Sequence, residues 1–103
     1  MAVTLSDART YLGIDVTDDE LINDNVQSAL DTAETIMLGA VGTDVRTYLA
    51  DDKRIDRLVL IYLDDLYSER GVSAKVSGST RRLVADMELQ LRIELQRAKE
   101  AAG

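Results

Sequence analysis

Proline is absent from this chain, and its apolar residues are aliphatic and recur at helical spacing. A proline inside a helix removes an N–H donor and clashes with the preceding turn, so a chain without one can run long helices uninterrupted. Neither Phe nor Trp is present and Tyr occurs only four times, which leaves Leu, Ile, Val and Ala to build the core. With 46% hydrophobic residues the chain is expected to fold, and 103 residues suffice for one compact domain with a modest core. A core of that size invites self-association as a source of further burial.

The helices can be placed from their caps and periodicity. Thr4, with Asp7 three residues on, opens a first helix over 5–12, and Gly13 ends it where chains often turn left-handed. Thr17-Asp18-Asp19-Glu20 reads as a capping box: Thr17 accepts from the Glu20 N–H while Glu20 reaches back. An EF-hand reading of the acidic run 15–20 fails, because the sixth position counted from Asp15 is Glu20 and that loop needs glycine there. The second helix is expected from about Asp18 to about Leu38. Leu21, Ile22, Val26, Ala29, Leu30, Ala33, Ile36 and Met37 lie mostly on one side of it, and Gly39 and Gly42 close it. One more helical turn is expected near Val45.

A third helix starts near Asp51 or Asp52 and stops at Gly71; it is apolar around most of its circumference, which predicts a buried, central position. Residues 72–79 have no helical period and read as a flexible, exposed loop. Ser79 or Thr80 then caps a fourth helix that continues to about Glu100. The expected fold is therefore all-α: a single compact domain over 1–103, of about four helices, with a long central helix, a flexible loop and a C-terminal helix and tail.

Several chemistries are disfavoured at once. Without Cys there is no disulfide, thiolate metal site or cysteine nucleophile, and without His there is no Ser-His-Asp triad or His-containing zinc site. Asp51 with Asp52, and Asp64 with Asp65, are adjacent carboxylates, and neighbours along a helix do not face one another. No glycine-rich phosphate loop is present. The reading is of a protein that is not an enzyme and takes no cofactor. The longest apolar run, residues 58–63, is far short of the roughly 20 residues that span a bilayer. No basic region followed by an apolar run marks a signal peptide, so a cytoplasmic origin is the default expectation.

Net charge is −7, unevenly spread. Residues 1–52 carry eleven acids and two bases, whereas residues 53–103 carry eight acids and ten bases. That polarity suits head-to-tail packing of like subunits, or is a solvated surface with uneven charge. An acidic chain is a poor candidate for binding DNA through its phosphates. A small helical DNA-binding regulator acting as a dimer is the alternative. It has only the cluster Arg81-Arg82 to offer, and no helix-turn-helix spacing.

The fourth helix carries two apolar faces. Val84, Met87, Leu91, Leu95 and Ala98 share one side and can dock on the domain. Leu89 and Ile93 point roughly 140–180° away from Val84. A second apolar face commonly meets a partner, although single exposed aliphatics also occur without one. Leu89 and Ile93, with Arg81 and Arg82 facing an acidic neighbour, are thus the candidate subunit interface. Residues 96–103, with Gln96, Arg97, Lys99 and Glu100, form a candidate docking tail, and Val72, Lys75 and Val76 a candidate loop contact.

With the helices placed, the chain resembles the small head–tail connector (adaptor) proteins of tailed bacteriophages. One match is Thr4-Leu5-Ser6-Asp7-Ala8-Arg9-Thr10-Tyr11-Leu12-Gly13-Ile14-Asp15, followed by Asp18-Asp19-Glu20-Leu21-Ile22. A second is the helix ending Leu66-Tyr67-Ser68-Glu69-Arg70-Gly71, similar to the family's aromatic-Tyr-x-x-Arg ending, and a third is Met87-Glu88-Leu89-Gln90-Leu91-Arg92, like its Gln-Leu-Arg signature. Leu66 stands where many members carry Trp, and the ending Lys99-Glu100-Ala101-Ala102-Gly103 looks longer than in compact members. The resemblance implies a non-enzymatic structural protein of the virion neck, assembled in the host cytoplasm. It would form a dodecameric ring docked to the portal protein, join the head to a stopper or tail-completion protein, and extend the DNA channel. DNA would pass through without sequence-specific binding, and an acidic wall would let it slide.

Overall fold

The computed structural model describes residues 3–14, 19–68 and 78–102. It is all-α: α1 (Leu5–Leu12), α2 (Glu20–Val41), α3 (Val45–Tyr48), α4 (Lys53–Ser68) and α5 (Gly78–Ala102), with no strand among the described residues. The expected helices are all present, and the extra turn near Val45 is α3.

Local chemistry sets the ends of α1. The Asp7 N–H donates to Thr4 Oγ1 and the Thr4 N–H donates to Asp7 Oδ2, both at 3.1 Å, so two helix-terminal donors are satisfied reciprocally. Gly13 closes the helix at φ 73°, a left-handed conformation that costs glycine little. The start of α2 differs from expectation. Its N-cap is Asp19, whose Oδ1 accepts from the Leu21 N–H at 3.0 Å and the Ile22 N–H at 3.4 Å. A carboxylate accepts such bonds and complements the helix dipole. Thr17, the expected cap, lies outside the described residues.

The end of α2 differs too. The helix runs through Gly39 to Val41, three residues past the expected stop at Leu38. Gly39 in a helix interior costs about 1 kcal/mol relative to alanine, but continuing brings Val41 into the core at 5% exposure. The turn comes at Gly42 instead, with φ 148°. Similarly α4 begins at Lys53, and α5 at Gly78, just before the expected caps Ser79 and Thr80.

The core lies between α2 and α4, with α1 across them on one side and α5 on another. From α2 come Val26, Ala29, Leu30, Ala33, Met37 and Val41; from α4 come Ile55, Leu58, Val59 and Leu63. Ala8 of α1 and Val45 of α3 complete this body, and Met87, Leu91 and Leu95 join it from α5. The further apolar residues of α4, including Leu60, Tyr62, Leu66 and Tyr67, are partly buried against the same cluster, in keeping with its central position. No polar side chain is buried among the described residues. Leu21 and Ile36, expected on the inner stripe of α2, are exposed, because α1, α4 and α5 cover an arc centred on Val26, Ala33 and Met37.

Candidate interface surfaces

Helix α5 is fixed by a narrow apolar seam flanked by polar contacts. Leu91 is fully buried, with Met87 and Leu95 nearly so, and Val84 packs partly buried against the same core. Arg54 of α4 donates to Gln90 at 3.3 Å and pairs with Glu94 at 2.7 Å. The Tyr62 hydroxyl donates to Glu88 Oε1. Arg92 donates to the Ala40 carbonyl near the end of α2 at 2.9 Å, and Lys99 pairs with Asp44 at 2.9 Å. These bonds bias the charges of the groups that make them. Burial, and then the bond to Glu88, push the Tyr62 phenol up, while the Arg54 guanidinium holds the Asp52 and Glu94 carboxyls below their usual range.

With α5 held this way, its opposite side faces outward. Leu89 is 50% exposed and Ile93 44%, as their angular offset from Val84 predicts, and Leu83 stands at the flank of the same surface at 53%. Arg82 and Arg97 are exposed beside them. The side chain of Arg81 lies outside the described residues, as do Val72, Lys75 and Val76. Residues 96–102 continue α5 as regular helix: Gln96 donates to Glu100 at 3.3 Å, and Lys99 is engaged by Asp44.

A second clamp needs only the first four helices. Arg46 on α3 donates through Nε and Nη2 to the two carboxylate oxygens of Glu34, each at 2.6 Å, and through Nη1 to Asp56 at 3.1 Å. One guanidinium thus joins α2, α3 and α4, in the two-pronged geometry that makes arginine–carboxylate pairs specific. Part of the charge asymmetry in the sequence is therefore settled inside one molecule. Glu34, Asp44, Asp52 and Asp56 all have basic partners within the chain. Glu20 and Asp24 on the exterior of α2 remain exposed.

Sequence reasoning did not anticipate a groove between α1 and α4. It has a volume of about 340 Å³ and is lined by Val3, Asp7, Thr10, Tyr11, Asp56 and Leu60. Tyr11 stands 47% exposed at its edge. The signal for it was weak: an aromatic near the end of a short amphipathic helix. A more polar cleft of about 370 Å³ lies where the α2–α3 corner meets α5, bordered by the Asp44–Lys99 pair and Arg92. Among the described residues, no group of three or more acidic side chains is placed to hold a metal ion, and no helix is long and apolar enough to cross a membrane.

No protein-family model, no curated protein and no solved structure matches this chain.

Proposed function

We propose that this chain is a structural subunit of the neck of a tailed-bacteriophage virion. Copies assemble into a dodecameric ring beneath the portal, joining the head to a stopper or tail-completion protein and extending the DNA channel. The observation that carries the reading is the outer face of α5. Leu89 and Ile93 are half exposed on a helix whose other side is docked and pinned. These two aliphatic side chains stand among charged residues and are turned away from the core of their own chain. Covering it with a neighbour contributes about 1–3 kcal/mol per copy from apolar burial. In a closed ring of head-to-tail contacts every subunit takes part in two such interfaces, covering this face in one of them.

The resemblance of residues 4–15, 66–71 and 87–92 to the connector family supplies the identity of the assembly. The chemistry of the chain is compatible with a channel component. Its net charge of −7 repels phosphate, so DNA slides instead of being held, and a chain without His or Cys lacks the commonest general base and the thiol nucleophile. The role is structural rather than enzymatic and calls for no cofactor.

Native mass spectrometry over a concentration series, with and without portal protein, tests the proposal. A closed oligomer near dodecameric mass, formed alone or on the portal, is the expected result. A chain that stays monomeric in both conditions, or a stable dimer that retards duplex DNA at physiological salt, overturns it.

A further inference from the structure

The end of α5 is held differently from the rest of the helix. Leu95 is its last buried residue, and of residues 96–102 Ala98 alone is even partly buried. Gln96 bonds to Glu100 within the helix. Among the described residues, the one hydrogen bond or ion pair from these last two turns to the body joins Lys99 Nζ to Asp44 Oδ2, at 2.9 Å. The packing beneath is open. A cleft of about 370 Å³ lies between Arg92, Leu95, Gln96 and Lys99 on α5 and the corner at residues 41–44.

We infer that residues 96–102 form a latch over this cleft, kept shut by the Lys99–Asp44 ion pair and released when that pair is broken. Such a latch operates within a single chain, whatever assembly the chain joins. Asp44 is committed to it: the residue stands at the N-cap of α3, yet its side chain makes no capping bond there. The pair is also easily opened. The side chain of Lys99 is 42% exposed and that of Asp44 36%, and exposed pairs are weak and screened by salt. Breaking it leaves Met87, Leu91 and Leu95 in the core, because all three precede these turns. The end of the helix then frays, since its last carbonyls have no partners within the helix.

Charge sets the pH window in which the latch holds. Asp44 faces Lys99 of α5, and Lys99 faces Asp44 and the Tyr48 phenol of α3. The other charges nearby are engaged elsewhere: Arg92 donates to the Ala40 carbonyl, Glu100 accepts from Gln96, and Arg46 of α3 pairs with Glu34 and Asp56. The bond to Lys99 holds the Asp44 carboxyl below its usual range, and the bond to Asp44 holds the Lys99 ammonium above its own. The pair therefore stabilises the closed end between the unfolded carboxylate and ammonium values, about pH 4 and about pH 10. That contribution is lost as pH falls through the lowered Asp44 value, or rises through the raised Lys99 value.

Amide exchange followed residue by residue in the full chain, and corrected for the intrinsic effect of pH, tests the latch. At pH 7, Asp44→Asn should speed exchange at residues 99–102 about two- to fivefold, as expected of one exposed pair, and leave residues 87–95 unchanged. Near pH 2 the variant and the wild type should exchange alike there. In a Lys99→Gln background Asp44→Asn should add nothing, because the partner is already gone. Exchange at 99–102 that Asp44→Asn does not alter overturns the inference, since the pair then holds nothing. Equal acceleration over 87–95 overturns it as well, because α5 would then be released as a whole. So does an Asp44→Asn effect that persists at pH 2 or in the Lys99→Gln background, which would mean that Asp44 acts on the corner alone.

Discussion

Helices α2 and α5 are of similar length, yet they are held to the domain in different ways. Over its 22 residues α2 buries six side chains, and it meets the four buried residues of α4 along a continuous apolar seam. Among the described side chains of the 25-residue α5, those of residues 82–102, three are buried, and Arg54, Tyr62, Arg92 and Lys99 add polar contacts around them. Apolar burial is non-directional, so a wide seam holds a helix without fixing every angle. A narrow seam gains less from burial, and polar contacts of defined geometry then set rotation and register. The difference shows in how α5 distributes its apolar residues. They are divided between a narrow inner seam that docks it and an outer pair, Leu89 and Ile93, left half exposed.

The largest effects should come from the seams themselves. Leu58→Ala removes a fully buried side chain between α2 and α4 and should cost about 2–5 kcal/mol in urea denaturation. Leu91→Ala should fall in the lower part of that range. Amide exchange sharpens the comparison: Leu91→Ala should lower protection in α5 while leaving α2 nearly unchanged, whereas Leu58→Ala lowers both. Equal loss of protection in both helices from Leu91→Ala would show one indivisible unit and break the contrast.

The corner between the two regions should respond next. Gly42 has φ 148°, and a Cβ there would lie 2.5 Å from Leu95 Cδ2. Gly42→Ala should therefore cost about 1–3 kcal/mol. Part of that is backbone strain and part a collision with α5. A double-mutant cycle with Leu95→Ala separates the two: a coupling free energy near zero would mean that α5 does not press on the corner.

The smallest effect belongs to a single polar contact. The side-chain bond with Arg54 lowers the Asp52 carboxyl below its usual range, assisted by the Arg54 backbone N–H. A lowered folded-state value adds stability above the unfolded carboxylate pKa of about 4, and that stability disappears as pH falls through the lowered value. Asp52→Asn should accordingly cost under about 1 kcal/mol at pH 7 and almost nothing near pH 2, as read from denaturation midpoints. A cost that is the same at both pH values would mean that the charge of Asp52 contributes nothing.

The contrast between regions also separates what was legible in the sequence from what was not. Thr4, Asp7 and Gly13 define α1 because caps act over three or four residues, and the two faces of α5 follow from counting at 100° per residue. Short-range competition misleads such counting: Thr17 and Asp19 are both good caps in one run, and helix α2 starts from Asp19. Gly39 and Gly42 both read as stops, and the burial of Val41 carries α2 past the first of them. The clamps made by Arg46 and Arg54 across α2, α4 and α5 have no local signature, since their partners are brought together by packing. The groove under Tyr11 is hidden for the same reason. A concavity between two helices is a property of how they cross and not of either one's pattern.

The reach of the Arg46 clamp along the chain carries a consequence for the order of assembly. Arg46 meets Glu34 and Asp56 across 12 and 10 residues, whereas the contacts that seat α5 span 26 to 55. Closing the longest of these loops costs about 1.5 kcal/mol more in chain entropy than closing the shortest, and contacts of short reach are favoured in early folding. The body formed by α1 to α4, groove included, can therefore take shape before α5 settles on it. Until that docking happens the outer pair Leu89 and Ile93 has no fixed direction. The direction of that face is therefore set last, by a helix that settles onto a body already formed.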